Sequence, residues 1–384
     1  MRGTKSNKWH VCFYNGFRPL ALLYIRFLFK YKCEQVETAD ENYIILSNHV
    51  SDYDPFLVAA SFRKHMYFVA SEHIARWGWL SKLIDFLVHP IIRYKGAVAA
   101  STAIDILKRV KQGANVCVFA EGVRTWDGVS APILPSTAKL VKKAGCGLYT
   151  YKLTGGYFAS PMWCGAKTRR GPVHGAPVHF YSKEQLQDMS SEEIYRAIIL
   201  DLYEDAYERQ LKEPQKYRGI NLAVGLENLM FICPSCQKRD TFVTKRNKVK
   251  CKHCDLTYTY DEYGMLHGGE FNTLKEVSDW QKEQVAKDVK ENIPYTAKEA
   301  VLSTVREHQE ETVTTGELVL SKDGLVCGDF SVPLTDISEL AMHGQRAIVF
   351  TAGKQYFELI PEKKSNAYKF FLYYLEWEKQ QSKE

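Results

Sequence analysis

The sequence predicts an α/β domain, followed by a small cysteine-rich ribbon and a C-terminal α+β module. Three observations carry this reading. Between residues 34 and 226, short apolar runs alternate with amphipathic stretches, the pattern of a sheet with helices on both sides. From Ile232 the character changes, with Cys233-Pro234-Ser235-Cys236 followed after fourteen residues by Cys251-Lys252-His253-Cys254. From Ala300 onward, strand-like runs separated by turn signals lead to one last amphipathic helix.

A chain of 384 residues holds two or three domains. Hydrophobic residues make up 45% and charged residues 25%, which excludes a disordered or collagen-like polymer. The net charge of +6, spread over this length, is a weak bias toward anionic partners and does not by itself mark a nucleic-acid binder. No uncharged apolar run reaches the ~18 residues of a membrane span. The N-terminus lacks the apolar core and cleavage site of a signal peptide, so a cytoplasmic location is expected. Of ten cysteines, four sit in the two close pairs. The others, Cys12, Cys33, Cys117, Cys146, Cys164 and Cys327, are scattered and read as free thiols.

The first piece, residues 1–32, reads as an interfacial amphipathic helix. Arg18, Arg26 and Lys30 fall on one helical face, and Leu20, Leu23, Tyr24, Phe27, Leu28 and Tyr31 fill much of the rest. A basic stripe beside an aromatic and aliphatic face suits a membrane interface; the plainer alternative is a helix packed on the domain with a solvated basic edge.

Residues 33–228 form the α/β domain. Strands are expected at Tyr43–Leu46, Met66–Ala70, Ile91–Arg93, Asn115–Phe119 and Gly147–Leu153, and helices at Pro55–Phe62, Arg76–Val88, Ala99–Gln112, Ser136–Ala144 and Ser191–Gln210. Ser190 followed by Glu192 and Glu193 supplies a cap and first-turn acids for the last helix. Trp77, Leu80, Ile84 and Leu87 share one side of the second, flanked by Trp79 and Leu83; these tryptophans suit lipid and core equally.

Residues 229–268 form the ribbon. Two C-x2-C knuckles at this spacing predict a zinc site of Cys233, Cys236, Cys251 and Cys254. Four thiolates fill every tetrahedral position, so the metal is structural, and His253 is exposed rather than a fifth ligand. Short strands are expected at Thr241–Thr244, Lys248–Lys250 and Leu256–Tyr260. Lys245, Arg246, Lys248, Lys250 and Lys252 cluster here, which suits phosphate contacts or, more plainly, a solvated face.

A helical linker, residues 269–299, contains the charged stretch Thr273–Asn292. In residues 300–384, strands are expected at Gly316–Leu320, Leu325–Cys327, Ala347–Thr351 and Gln355–Ile360, with turns at Lys322-Asp323-Gly324 and Ala352-Gly353-Lys354. A final helix, Asn366–Trp377, closes a module that resembles a pleckstrin-homology or GRAM domain; the plainer alternative is an accessory β domain without a ligand.

The chemistry concentrates in three short blocks. Asn48-His49-Val50-Ser51-Asp52-Tyr53-Asp54-Pro55 puts a histidine and a carboxylate five positions apart, directly after a strand. A neutral imidazole held by a carboxylate takes a proton from an alcohol near neutral pH, so His49 is the candidate base and Asp54 its partner. Asp52 is an alternative partner, and Asp54 before Pro55 is also an ordinary helix start. Some seventy residues on, the run Val116–Phe119 ends in Ala120-Glu121-Gly122-Val123-Arg124. Glycine lets backbone approach a ligand, and arginine grips phosphate with two donors. Between them, Pro90-Ile91-Ile92-Arg93-Tyr94-Lys95-Gly96 ends a short apolar strand in an arginine, with Lys95 nearby.

These blocks, in this order, resemble the glycerolipid acyltransferases of the PlsC type, whose first block is H-x4-D and whose third is F-P-E-G-T-R-S. The resemblance covers residues 40 to 225. It implies transfer of a fatty acyl group from acyl-CoA or acyl-carrier protein to the hydroxyl of 1-acyl-glycerol 3-phosphate, giving phosphatidic acid. Glycerol 3-phosphate or another lysolipid is the alternative acceptor, and no cofactor is implied for the chemistry. It implies that His49 and Asp54 are the catalytic pair, that Arg93, Glu121, Gly122 and Arg124 bind the acceptor phosphate, and that the protein sits peripherally on the inner face of the cell membrane. The sequence departs from the family at Ala120 and Val123, where proline and threonine are usual, and at Leu148–Leu153, which has two tyrosines and no proline. The ribbon and the last module lie outside the basic family architecture, and their association with it looks like certain bacterial members. A different class of reading, a ribbon protein that binds nucleic acid or a protein partner, rests on the lysine cluster alone; nucleic acid is not the expected partner.

Overall fold

The computed structural model describes residues 8–37, 39, 41–71, 79–93, 99–165, 167–306, 309–353, 355–362 and 367–381. Two compact units divide the chain, the first within residues 1–219 and the second mainly 220–384.

The first unit runs α1 (Lys8–Leu28), β1 (Lys30–Cys33), β2 (Tyr43–Ser47), α2 (Asp54–Ser61), β3 (Met66–Ser71), α3 (Trp79–Val88), β4 (Ile91–Arg93), α4 (Ala99–Lys111), β5 (Asn115–Phe119), α5 (Ser136–Ala144), β6 (Gly147–Thr154), α6 (Gly156–Ala159), β7 (Pro172–Tyr181), α7 (Lys183–Asp188), α8 (Ser191–Leu202) and α9 (Ala206–Lys212). Its sheet has the order β1-β7-β6-β2-β5-β3-β4. Every neighbouring pair is parallel except β6 and β7. The central strand β2 and most of β5 are apolar on both faces because helices cover both. On one face Ile44, Leu46, Val116 and Leu148 pack with Ile106, Val110, Val141, Ile194 and Ile198 from α4, α5 and α8. On the other, Tyr43, Tyr149 and Tyr151 meet Phe62 at the end of α2. The two tyrosines of the Leu148–Leu153 run are therefore core residues.

Helix α1 corrects one expectation. Arg18 does not lie on a solvated stripe: it donates from Nε to Ala59 O at 3.0 Å and from Nη2 to Ala60 O at 2.8 Å. Tyr14 Oη adds bonds to Ala59 O and Phe62 O. The last carbonyls of the short helix α2 have no intrahelical donors, and a cation there also meets the negative end of the helix dipole. Arg18 thus fastens α1 to the domain and turns the apolar side outward, with Leu20, Leu23 and Phe27 at 64%, 69% and 72% exposure. Trp79 on α3 is 76% exposed, and Phe86 from the same helix touches Trp9 of α1. Trp77 lies outside the described residues.

The expected helix over Ser191–Gln210 is broken in two. Val129 pairs with Asp205, and Ser130 N and Ala206 N bond to Glu204 O and Gly128 O, which draws 203–205 into a bridge; Asp205 then caps α9. No helix among the described residues is long and apolar enough to cross a membrane.

The second unit holds a four-stranded sheet of β8 (Phe242–Lys245), β9 (Lys248–Cys251), β10 (Thr257–Tyr260) and β11 (Leu266–His267), then α10 (Leu274–Lys290). A seven-stranded antiparallel sheet follows, β12 (Tyr295–Arg306), β13 (Gln309–Ser321), β14 (Gly324–Cys327), β15 (Phe330–Val332), β16 (Ile337–His343), β17 (Ala347–Ala352) and β18 (Gln355–Pro361), closed by α11 (Ala367–Gln381). The stretch read as a linker is a packed spine. Thr273 and Glu276 form a capping box that starts α10. Gln281 Oε1 accepts from Phe231 N and Ile232 N, and Asp288 accepts from Arg239 and Tyr373.

Candidate active site

Strands β2 and β5 lie side by side and run parallel, so their C-terminal ends open at the same edge of the sheet. In such sheets that edge is where ligands bind. The His49 block leaves β2 and the Glu121 block leaves β5. Ala120 N donates to Ser47 O at 3.0 Å, extending the pairing past the strand ends. A proline at that position would have no N–H for this bond.

The loop after β2 is tied down on every side. Asn48 Nδ2 donates to Leu153 O and its Oδ1 accepts from Leu153 N, both at 2.8 Å, so a buried side-chain amide splices the loop onto β6. Thr125 N donates to His49 O at 3.2 Å. His49 Nδ1 stands 2.7 Å from Asp54 Oδ2, and its ring stacks on Phe119 with centroids 4.5 Å apart. The His49 side chain is 21% exposed and that of Asp54 is fully buried.

Asp54 does more than face the imidazole. Its carboxylate accepts from Val50 N at 2.7 Å, from Ser51 N at 3.0 Å and from Ser51 Oγ at 2.5 Å. A buried carboxylate is tolerable only when such donors replace its water. The bland role as a helix cap is not what the structure has: Tyr53 holds the cap position, and no side chain bonds the first turn of α2. The carboxylate reaches backward and fixes both the loop and the ring. With Nδ1 engaged, Nε2 is the nitrogen left to meet a substrate.

Arg93 meets Gly122 from a separate block. Gly122 has φ +68°, which favours glycine, and a Cβ there would fall 2.3 Å from Arg93 Nη1, so a side chain would displace the guanidinium that now lies against the turn. Arg124 Nη1 pairs with Asp52 Oδ2 at 2.7 Å and Nη2 donates to Ser160 O at 2.8 Å. Asp52, weighed above as the histidine's partner, is instead the arginine's. Lys95 lies outside the described residues.

Glu121 differs from its expected role at the phosphate. Its Oε1 accepts from His49 N at 3.0 Å and its Oε2 from Ala131 N at 2.6 Å, and the residue is buried. The two strand-end loops are therefore bridged by this side chain. Burial pushes its carboxyl up to about 8, against the two backbone donors that favour the ionised form. A group with this placement braces the loop from behind.

Reading the sequence missed Asn48, Ser51 and Phe119. The signal for the first was present, since an amide at the end of an all-apolar strand, next to a histidine, needs buried partners. A cleft of about 320 Å³ lies beside the end of β6, lined by residues that include Gly155, Pro172, Glu204, Arg209 and Tyr217, but His49, Arg93 and Arg124 do not line it. The histidine faces the open edge of the sheet.

Residues 29–154 match the Acyltransferase family model. The matched segment is an acyltransferase domain. It spans the His49, Arg93 and Glu121 blocks and the strands that carry them. No curated protein matches the chain. A solved structure, the 1-acyl-sn-glycerophosphate acyltransferase PlsC from Thermotoga maritima, is similar over 52% of this chain and 80% of that one, at 18% identity and a TM-score of 0.44.

Beyond the acyltransferase domain, Cys233, Cys236, Cys251 and Cys254 bring their sulfurs within 4.8 Å of one another. Cys233 and Cys254 are 3.6 Å apart, and Cys236 and Cys251 3.8 Å. A tetrahedral ion with metal–sulfur bonds of about 2.3 Å needs sulfurs about 3.8 Å apart, so the donor set fits a structural metal such as zinc. His253 N and Thr241 Oγ1 lie 3.4 and 3.3 Å from Cys251 Sγ, outer partners that favour a thiolate. His253 is exposed and its Nδ1 faces Lys238, as expected of a bystander.

Proposed function

We propose that this acyltransferase moves a fatty acyl group from acyl-CoA or acyl-carrier protein to the free hydroxyl of 1-acyl-glycerol 3-phosphate, giving phosphatidic acid. The observation that carries it is the His49–Asp54 pair, in a loop whose Asp52 pairs with Arg124, while Arg93 lies against Gly122 of the neighbouring loop. His49 Nε2 takes the proton of the acceptor hydroxyl as its oxygen attacks the thioester carbonyl. The tetrahedral adduct collapses, the carbon–sulfur bond breaks, and the imidazolium returns the proton to the leaving thiolate. Asp54 stabilises the imidazolium and holds the ring's tautomer.

Arg93 and Arg124 bind the acceptor phosphate. Asp52 occupies Arg124 in the free enzyme and is 69% exposed, so the phosphate displaces one carboxylate and inherits its partner. Glu121 serves by holding the His49 backbone, and Gly122 by admitting Arg93 to the turn. Zinc fills the four-cysteine site and stabilises the ribbon. The exposed apolar side of α1 and α3 supports a peripheral position of the protein, on the inner face of the cell membrane.

An acceptor panel tests the substrate. With palmitoyl-CoA as donor, 1-acyl-glycerol 3-phosphate is expected to outpace glycerol 3-phosphate and lysophosphatidylcholine in kcat/KM by about tenfold or more, because only it offers both a phosphate monoester and an acyl chain. Equal rates with a lysolipid lacking the monoester would sink the phosphate role of the arginines.

A further inference from the structure

The ribbon carries a surface that acyl transfer does not use. Strand register sets Val243 opposite Lys250 and Thr257, and Lys245 opposite Lys248 and Thr259, so all six share one face. Phe242, Val249, Cys251, Tyr258, Tyr260 and Leu266 point to the other side and are buried. Lys252 continues the alternation and Arg246 sits in the β8–β9 turn, both exposed. Among the described residues none of these five cations has a carboxylate partner.

Alternate residues on a strand lie about 6.7 Å apart and neighbouring strands about 4.8 Å apart. Both spacings are within the ~8 Å screening length at physiological salt, so the cations repel one another until an anion covers them. The type of anion is set by what the face lacks. Single-stranded nucleic acid is held by aromatic rings on a sheet surface; here the phenylalanine and tyrosine rings of the sheet are turned inward, and the one ring on the lysine face, His267, is held by Asp261 at 2.8 Å. Duplex readers need a helix or projecting ribbon to enter a groove, and no helix lies within residues 234–268. Lysines, unlike arginines, act as point charges without a fork for one phosphate, and a row of them suits a diffuse negative plane.

We propose that the Lys245–Lys248–Lys250 face of the ribbon docks on an anionic lipid surface. The proposal rests on the reading that this enzyme's acceptor lives in a bilayer, and it gives the metal-bound module a task, a charge-selective contact separate from the apolar side of α1 and α3.

Flotation of the full zinc-loaded chain tests it. Vesicles are either pure phosphatidylcholine or contain phosphatidylglycerol, each at low and at physiological salt. The wild type is expected to prefer the anionic vesicles, and the preference to shrink with salt. K245E/K248E/K250E is expected to lose about tenfold or more of that preference. It keeps its zinc, its binding to neutral vesicles and its turnover of detergent-dispersed acceptor. Loss of turnover in wild type and variant alike would count against the acyltransfer reading while leaving the flotation result to stand. K245Q/K248Q/K250Q, with salt titration of the wild type, decides the matter where the reversed charges disturb folding. Equal flotation of wild type and variants on anionic vesicles overturns the proposal. So does retention on RNA or an acidic protein that the variants lose while vesicle binding stays.

Discussion

At the scale of residues, the site is a set of exchanges between charged groups. Asp52 and an acceptor phosphate compete for Arg124 in the proposed mechanism. Removing the competitor should help binding, so Asp52→Asn is expected to lower the acceptor KM by about two- to fivefold, the worth of a pair whose carboxylate is exposed. Arg124→Lys, which keeps the charge but loses the fork, should raise it about tenfold. Initial-rate kinetics on both variants check the two directions together, and a KM that moves the same way in both would break the exchange. Much of this constellation was legible: His49, Asp54, Arg93, Gly122 and Arg124 are types that the chemistry requires, at the ends of apolar runs. The tasks of Asp52 and Glu121 were not. A carboxylate's partner depends on which way a loop turns, and spacing along the chain does not give that.

At the scale of elements, helix α1 shows how local pattern and tertiary contact diverge. Its apolar stripe was legible from the sequence, but the direction of that stripe was set by carbonyls at the end of α2, which claimed Arg18 and Tyr14. Strand β7 escaped for a related reason. Pro172-Val173-His174-Gly175-Ala176-Pro177 reads as a loop by propensity, yet it pairs with β1 on one side and β6 on the other. The capped helices were the easiest, since Ser190 with Glu193 and Thr273 with Glu276 form reciprocal bonds. For α1, replacing Leu20, Leu23 and Phe27 by serine should reduce binding to neutral vesicles by about tenfold or more, as each apolar side chain moved from water contributes on the order of 1 kcal/mol or more. Thermal unfolding should change little, because all three are exposed. Unaltered flotation would remove α1 from the interface.

At the scale of the whole molecule, the two units divide the work. The first places a histidine, its carboxylate and two arginines at one edge of a mostly parallel sheet. The second joins a four-cysteine ribbon to the C-terminal helix α11 through α10, whose Gln281 accepts from Phe231 and Ile232 and whose Asp288 accepts from Arg239 and Tyr373. The order of the pieces was legible because each has its own grammar, alternating runs, paired cysteines, hairpin turns. The reach of β12 back to Tyr295, into what read as linker, was not, because the alternation of Tyr295-Thr296-Ala297-Lys298 is short, is interrupted by a register shift before Ala300, and pairs only with β13. The claim on which the rest depends is that His49 is the base. The direct test is thiol release from palmitoyl-CoA in the presence of 1-acyl-glycerol 3-phosphate, with the lipid product followed, for the wild type and for His49→Ala shown to be folded. Lysolipid-dependent release with formation of phosphatidic acid is expected, reduced by about a hundredfold or more in the variant. Turnover of the variant at the wild-type rate would contradict it.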